Sequence, residues 1–446
     1  MFSEEYIRHY KETLKLAFPI IMSQLSHIVI MITDNIVVGR YHTDALAAAS
    51  LANGIMITVM LFGLGITFGI TPLVAAAEAT KKYHECVKLL RHGSLLYLLI
   101  SLGLFLVVFL TSLFLEYFGQ PPHVTELARP FLVLQGISMV PSLIFQCLKQ
   151  FMEGTSNPRE PMYVAMGGEV INVLLNIILV FGWMGAPELG LLGAGIGTLV
   201  AKTLMAVAVV VVFFRMKKFD IYAKHIHWKI FSGKVFKKLL KMGMPIGMQM
   251  VFEGGAVTCT TIMMGWLGAK VLAAHQIALS ISAVTFMVAA GIGSAASIRT
   301  ANQKGLRNKY RLQMAGKSAI LIVVIFMTVC SMAVVATRFV LPTFYVQDQE
   351  VWQIASMLLV MVAIFQVSDG VQVVAINTLR GIQDVKVPTI ITLIAYWLVG
   401  IPLSYVMGFV FNFGAEGVWS GLIISLTVAA VLLTIRFLKR SRQMVV

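Results

Sequence analysis

The sequence predicts an all-α polytopic membrane protein: twelve transmembrane helices in two six-helix lobes related by a parallel pseudo-two-fold repeat. Three observations carry this. Of 446 residues, 58% are hydrophobic and 12% charged, against about 25% charged in soluble domains. The apolar residues come in blocks of roughly 20, the length a helix needs to cross about 30 Å of hydrocarbon. The two halves of the chain also resemble each other.

Leu95–Leu110, Ile171–Phe181 and Ile320–Val335 lie inside such blocks. The expected spans are 16–39, 51–76, 94–114, 130–148, 161–183 and 190–214, then 242–265, 278–298, 318–337, 353–375, 387–408 and 414–435. The opening residues are polar, and the first apolar block runs on into Asp34 without a small-residue cleavage pattern, so it reads as a retained span rather than a signal peptide. The net charge of +15 does not point to nucleic acid, because the basic residues flank apolar blocks instead of gathering on one soluble domain. Nearly all the lysines and arginines fall at the N-terminus, in the even-numbered loops and at the C-terminus. Cytoplasmic segments carry that excess, so both termini are expected in the cytoplasm. The four cysteines are scattered, without metal-ligand spacing or a disulfide framework.

The chain divides into an N-lobe (1–214), a basic cytoplasmic linker (215–241) and a C-lobe (242–446). The linker carries Arg215, Lys217, Lys218, Lys224, Lys229, Lys234, Lys237, Lys238 and Lys241. Phe219, Ile221, Trp228, Ile230 and Phe231 suit a segment lying along the membrane interface, and a solvated linker fits equally.

The repeat shows as matches at nearly one offset. Pro19, Met22 and Gly39 match Pro245, Met248 and Gly265, and Leu46–Ala48 match Leu272–Ala274. Gly154 and Pro161 match Gly381 and Pro388; Gly190, Gly193 and Gly197 match Gly414, Gly417 and Gly421. With an even number of spans, both halves enter the membrane from the same side, so the repeats are parallel, as in one class of transporter.

Charges inside spans are costly and usually functional. Asp34, Glu169, Lys202, Glu253 and Asp369 are the five that stand clear of span ends. Asn172 and Asn176 share one face of the fifth span, and Thr198 lies at similar depth on the sixth. With Asp34 they offer hard oxygen donors and a single negative charge, which suits Na⁺ or a proton better than a transition metal. The alternative is that the polar groups only bond helix to helix. Glu253 and Asp369 form a candidate acidic site in the C-lobe. Glu169 and Lys202 come out at equal depth on consecutive helices and are expected to pair; alternatively, Lys202 faces Asp34 and competes with a bound cation. Pro19 removes a helical hydrogen bond and bends the first span as a hinge, or merely starts the helix.

In this order, Pro19, Asp34-Asn35, Gly39, Glu153-Gly154, Asn157-Pro158, Pro161, Asn172, Asn176, Gly193-x-x-x-Gly197-Thr198, Asp369, Arg380-Gly381 and Pro388 resemble the multidrug and toxic compound extrusion (MATE) family over nearly the whole chain. The resemblance implies export of organic cations in exchange for Na⁺ or H⁺, across a bacterial inner membrane, without a cofactor or obligate protein partner and with the monomer functional. It implies that Asp34, Asn172, Asn176 and Thr198 form the N-lobe cation site. Asn176, Glu253 and Asp369 are similar to the NorM branch, except that Phe365 stands where that branch has a tyrosine. Glu169 and Lys202 fall outside the family's pattern. A lipid-linked oligosaccharide flippase is the rival reading, but it favours a basic cavity. A polytopic membrane enzyme would need a catalytic cluster that the sequence lacks, and no Walker motif is present.

Overall fold

A computed structural model describes residues 4–119, 121–224 and 232–443. Among them the regular structure is helical throughout. The first half holds α1 (Glu4–Tyr41), α2 (Thr43–Thr67), α3 (Ile70–Ala79), α4 (Tyr83–Leu113), α5 (Pro122–Gly154), α6 (Arg159–Phe181) and α7 (Leu191–Arg215). A short α8 (Asp220–Ala223) follows. The second half holds α9 (Gly233–Trp266), α10 (Ala269–Gly305), α11 (Lys309–Thr337), α12 (Gln349–Gly381), α13 (Lys386–Leu393), α14 (Ile401–Tyr405) and α15 (Gly414–Gln443).

Eleven helices among the described residues are long and apolar enough to cross a membrane, against twelve spans expected. The missing one is α9, whose 34 residues suffice in length. Gln249, Glu253 and the threonines at 258, 260 and 261 dilute its apolar stretch. The second span, expected as one block, breaks between α2 and α3 at Phe68-Gly69. Pro72 sits in the first turn of α3, where a missing N–H costs nothing. The eleventh span relaxes twice into π-helical turns, Ile394–Gly400 and Val406–Val410, on either side of α14.

Two compact units emerge, and their limits differ from the lobe boundaries expected above. One is Met22–Gly247; the other is Met1–Ile21 with Met248–Val446. Both α1 and α9 are therefore shared out, each two residues after its internal proline, Pro19 or Pro245. Packing accounts for the assignment. Ala17, with Leu16 and Ile21, joins a core of Ala289, Ile292, Ala296, Val323 and Val374. Arg299 then holds α1 from the side: its guanidinium donates to the His9 carbonyl at 2.8 Å and Glu12 Oε2 at 2.8 Å, and to Thr13 Oγ1. In the other unit, Gly243 and Gly247 lie against α2 so closely that a methyl group on Gly65 would fall 2.6 Å from Gly247 Cα.

In each unit the fourth span of its repeat is central. Helix α5 packs on α2, α3, α4 and α7, and α12 packs on α10, α11 and α15. The linker expected over 215–241 is partly structured. Phe219 and Tyr222 are buried against Phe213 and Phe151, and α9 begins at Gly233. Trp228, Ile230 and Phe231 lie outside the described residues. All four cysteines are free.

Candidate cation sites

Within Met22–Gly247, α1, α6 and α7 bring Asp34, Asn172, Asn176 and Thr198 together. Asn176 Nδ2 donates to Asp34 Oδ1 at 2.7 Å and to Asn172 Oδ1 at 3.3 Å. Asn172 Nδ2 donates to Thr198 Oγ1 at 3.2 Å. With its amide turned over, Asn172 faces both Asp34 oxygens at 3.2 and 3.3 Å and accepts from Thr198 at 3.2 Å. Both asparagines are 1% exposed, so their amides must be satisfied within the protein. Asn176 Oδ1 is not: it is buried without a hydrogen-bond partner. A buried, unsatisfied carbonyl oxygen beside a carboxylate is a ready ligand for a small cation, which would recover the desolvation cost.

Backbone contact sets this geometry. A methyl on Gly193 would lie 2.4 Å from the Leu179 carbonyl oxygen, and one on Gly197 would lie 2.2 Å from Asn176 Oδ1. The small-residue stretch of α7 therefore lets α6 approach and leaves room for the amide. Gly190, at φ +55° and ψ −131°, opens the helix in a backbone conformation that only glycine adopts readily, with the Tyr41 ring against it.

One turn further along α6 and α7, Lys202 Nζ donates to Glu169 Oε1 at 2.8 Å. His27 Nδ1 approaches the same oxygen at 3.2 Å. Lys149 and Glu153 on α5, both buried, lie nearby: Lys149 donates to Ser23 Oγ at 2.8 Å and stands 4.0 Å from Glu153. The sequence reading set these two aside as lying past a span end. Helix α5 runs on to Gly154, and both side chains are inside.

The second unit holds Glu253 and Asp369. Glu253 Oε1 accepts from Gln249 at 3.0 Å and from Gln372 at 2.7 Å. Arg380 donates to Gln249 Oε1 at 3.0 Å, so a buried guanidinium is tied to the acid through one amide. Asp369 is 7% exposed and near enough to Glu253 to feel its charge. Tyr396, on the first π-helical turn, is buried beside both acids, and its neighbour Trp397 donates to the Phe252 carbonyl at 3.0 Å. Such turns recur at functional sites. Phe365 packs edge-on to Trp419 and supplies no ligand. Gln249, Gln372 and Tyr396 escaped the sequence reading, which looked for charges. The repeat register held the signal: Glu253 stands as far past Pro245 as His27 past Pro19, and Tyr396 as far past Pro388 as Glu169 past Pro161.

Solved structures share this architecture. A eukaryotic MATE transporter, AtDTX14, superposes with a TM-score of 0.87 over 98% of both chains at 21% identity. An outward-facing multidrug resistance MATE family transporter of the MOP superfamily gives 0.88 over 98% of this chain and 96% of its own, at 18% identity. The fold is thus that of the MATE transporters. The MatE family model matches residues 19–178 and 245–406, and the chain belongs to the MatE family. Curated relatives include the probable multidrug resistance protein NorM of Bradyrhizobium diazoefficiens, 32% identical over 98% of this chain and 94% of its own. That of Rhodopseudomonas palustris is 34% identical over 97% and 92%.

Proposed function

We propose that this protein is a multidrug efflux antiporter of the NorM type, exporting organic cations in exchange for Na⁺ or H⁺ by alternating access. The observation that carries the reading is the partly buried Asp34–Asn176–Asn172–Thr198 cluster with its open Asn176 oxygen. In this reading Asp34, Asn172, Asn176 and Thr198 take the coupling ion. Glu253 and Asp369 take up the organic cation's charge, and Tyr396 and Trp397 offer it ring faces. Pro19 acts as a hinge where α1 leaves one compact unit for the other. The names of the NorM relatives support the multidrug substrate class. Exporting one positive charge against about 100 mV costs about 2.3 kcal/mol. Exchange for one inward monovalent cation cancels that term and leaves the ion gradient to drive export. Both termini face the cytoplasm of an inner membrane, on the distribution of basic residues, and the monomer is the working unit.

The test is efflux of a fluorescent organic cation from proteoliposomes under an imposed Na⁺ gradient and, separately, a pH gradient. Transport driven by one of them and lost in Asp34→Asn is the expected result. No transport by folded wild type under either gradient would remove the reading.

A further inference from the structure

The Asp34 site has a charged neighbour that the proposed function does not use. Lys202 sits one turn from Thr198 on α7, with its ammonium on Glu169 at 2.8 Å. Side chains lean toward the N-terminus of their helix. Lys202 therefore leans toward Thr198, and Asp34 on α1 leans back toward residues 30 and 31. Both Lys202 and Glu169 are close enough to Asp34 to act on it electrostatically. Asn172 bridges Thr198 to the Asp34 cluster through contacts no longer than 3.3 Å. The Lys202 side chain, four methylenes long, thus holds Glu169 while its own helix carries Thr198, one turn away, which Asn172 links to Asp34.

Charge balance says why two positions matter. The buried cluster holds the carboxylates Asp34, Glu169 and Glu153 against the ammonium groups Lys202 and Lys149. Lys149 is already taken by Ser23 and Glu153, and it also acts electrostatically on Glu169 and Lys202. Counting the lysines and carboxylates, the set is one positive charge short. One mobile ammonium thus serves Glu169 and Asp34, and one monovalent cation completes the set. His27, 3.2 Å from Glu169 and half exposed, keeps that carboxylate hydrogen-bonded when the lysine leaves.

We infer that Lys202 is a tethered competitor for the coupling ion: it rests on Glu169 while a cation occupies Asp34, swings to Asp34 when the cation leaves, and so sets which ion the site accepts and how firmly. The inference rests on the reading of Asp34 as the coupling-ion site. A tethered group competes intramolecularly, at an effective concentration set by its reach rather than by the bulk solution. Lys202 therefore weakens binding of a monovalent cation and speeds its release. A divalent ion would leave the cluster overcharged.

The test uses the purified full-length protein and Na⁺ alone, measured as equilibrium binding of radioactive Na⁺ in the absence of any organic substrate. Lys202→Met removes the competitor and keeps the side chain's length; Na⁺ affinity is expected to rise tenfold or more. Glu169→Gln removes the lysine's resting place and leaves it on Asp34; Na⁺ affinity is expected to fall. The double variant Lys202→Met/Glu169→Gln, which removes one charge of each sign, keeps the net charge of the cluster and guards against misfolding, should bind Na⁺ more tightly than wild type. Adding Asp34→Asn to Lys202→Met should abolish the gained binding. A static ion pair would also move the two single variants in opposite directions through its field, but the two effects would cancel in the double variant. Na⁺ affinity of the double variant equal to that of wild type would overturn the inference, as would single variants that shift together or not at all. Failure of the antiport reading would appear separately, as absent efflux by wild type.

Discussion

His27 and Glu253 occupy the same register of the two repeats, each at an equal distance past its helix proline, and each faces a residue that is also register-matched, Glu169 or Tyr396. The same position thus carries a weak base in one unit and an acid in the other. One repeat pairs it with a carboxylate that also holds an ammonium, the other with two amides. Duplication supplied the geometry, and later substitution gave the two units different charges to handle.

That difference predicts separable losses. Glu253→Gln keeps the hydrogen bonds from Gln249 and Gln372 but removes the charge. Affinity for an organic cation should drop by about tenfold or more, ~1.4 kcal/mol, while Na⁺ binding at Asp34 stays as in wild type. Isothermal titration with the organic cation and with Na⁺ reads both quantities. Loss of both together would mean that the acids of the two units do not act separately.

Asp34→Asn should behave in the opposite way. The new amide can still meet Asn176, so folding and thermal stability should change little, whereas ion-driven efflux should vanish. A thermal transition lowered by many degrees would instead mark Asp34 as structural.

Gly197→Ala tests the packing beneath the site. The added methyl meets Asn176 Oδ1 at 2.2 Å, so the amide must turn away from Asp34. The expected cost is about 1–3 kcal/mol of stability, together with loss of Na⁺ binding. Gly193→Ala meets backbone at 2.4 Å instead. It should cost stability at least as much, with no direct effect on the asparagine. Thermal unfolding followed beside Na⁺ binding separates the two.

Arg299→Met should release the first turns of α1. A buried guanidinium with four polar contacts would be lost, leaving the His9 carbonyl and Thr13 without that donor. Breaking such a buried network typically costs about 3–5 kcal/mol. Limited proteolysis near residues 4–13 should become faster, and the thermal transition should fall.

Much of this was legible in the sequence because charge inside hydrocarbon is expensive. Asp34, Glu253 and Asp369 stood out for that reason, and Asn172, Asn176 and Thr198 followed from helical spacing. What stayed hidden was neutral or lay at a margin. Gln249 and Gln372 bind Glu253 but carry no charge. Lys149 and Glu153 looked like loop residues because apolar composition ends before α5 does. Helix α9 stood out as a span at 242–265 even though Gln249 and Glu253 dilute its apolar stretch. The break at Phe68-Gly69 had only Gly69 and Pro72 to announce it. The exchange of segments between the two compact units had no local signal, since it rests on Ala17 meeting Ala289 and on Arg299 meeting His9, pairs far apart in the chain.

That exchange bears on biogenesis. His9, Ala17 and Ile21 leave the ribosome long before Ala289, Arg299 and Val374, the groups they pack against. Until α10 and α12 are inserted, His9, Glu12 and Thr13 have only their contacts within α1, such as Arg8–Glu12 and Thr13–His9. The Met22–Gly247 unit likewise cannot close until the first turns of α9 are made. Contacts so distant in sequence are slow to form and leave partly packed species exposed meanwhile. Neither half is therefore a self-sufficient folding unit. Two fragments cut within the 225–231 segment should assemble into working transporter only when produced together.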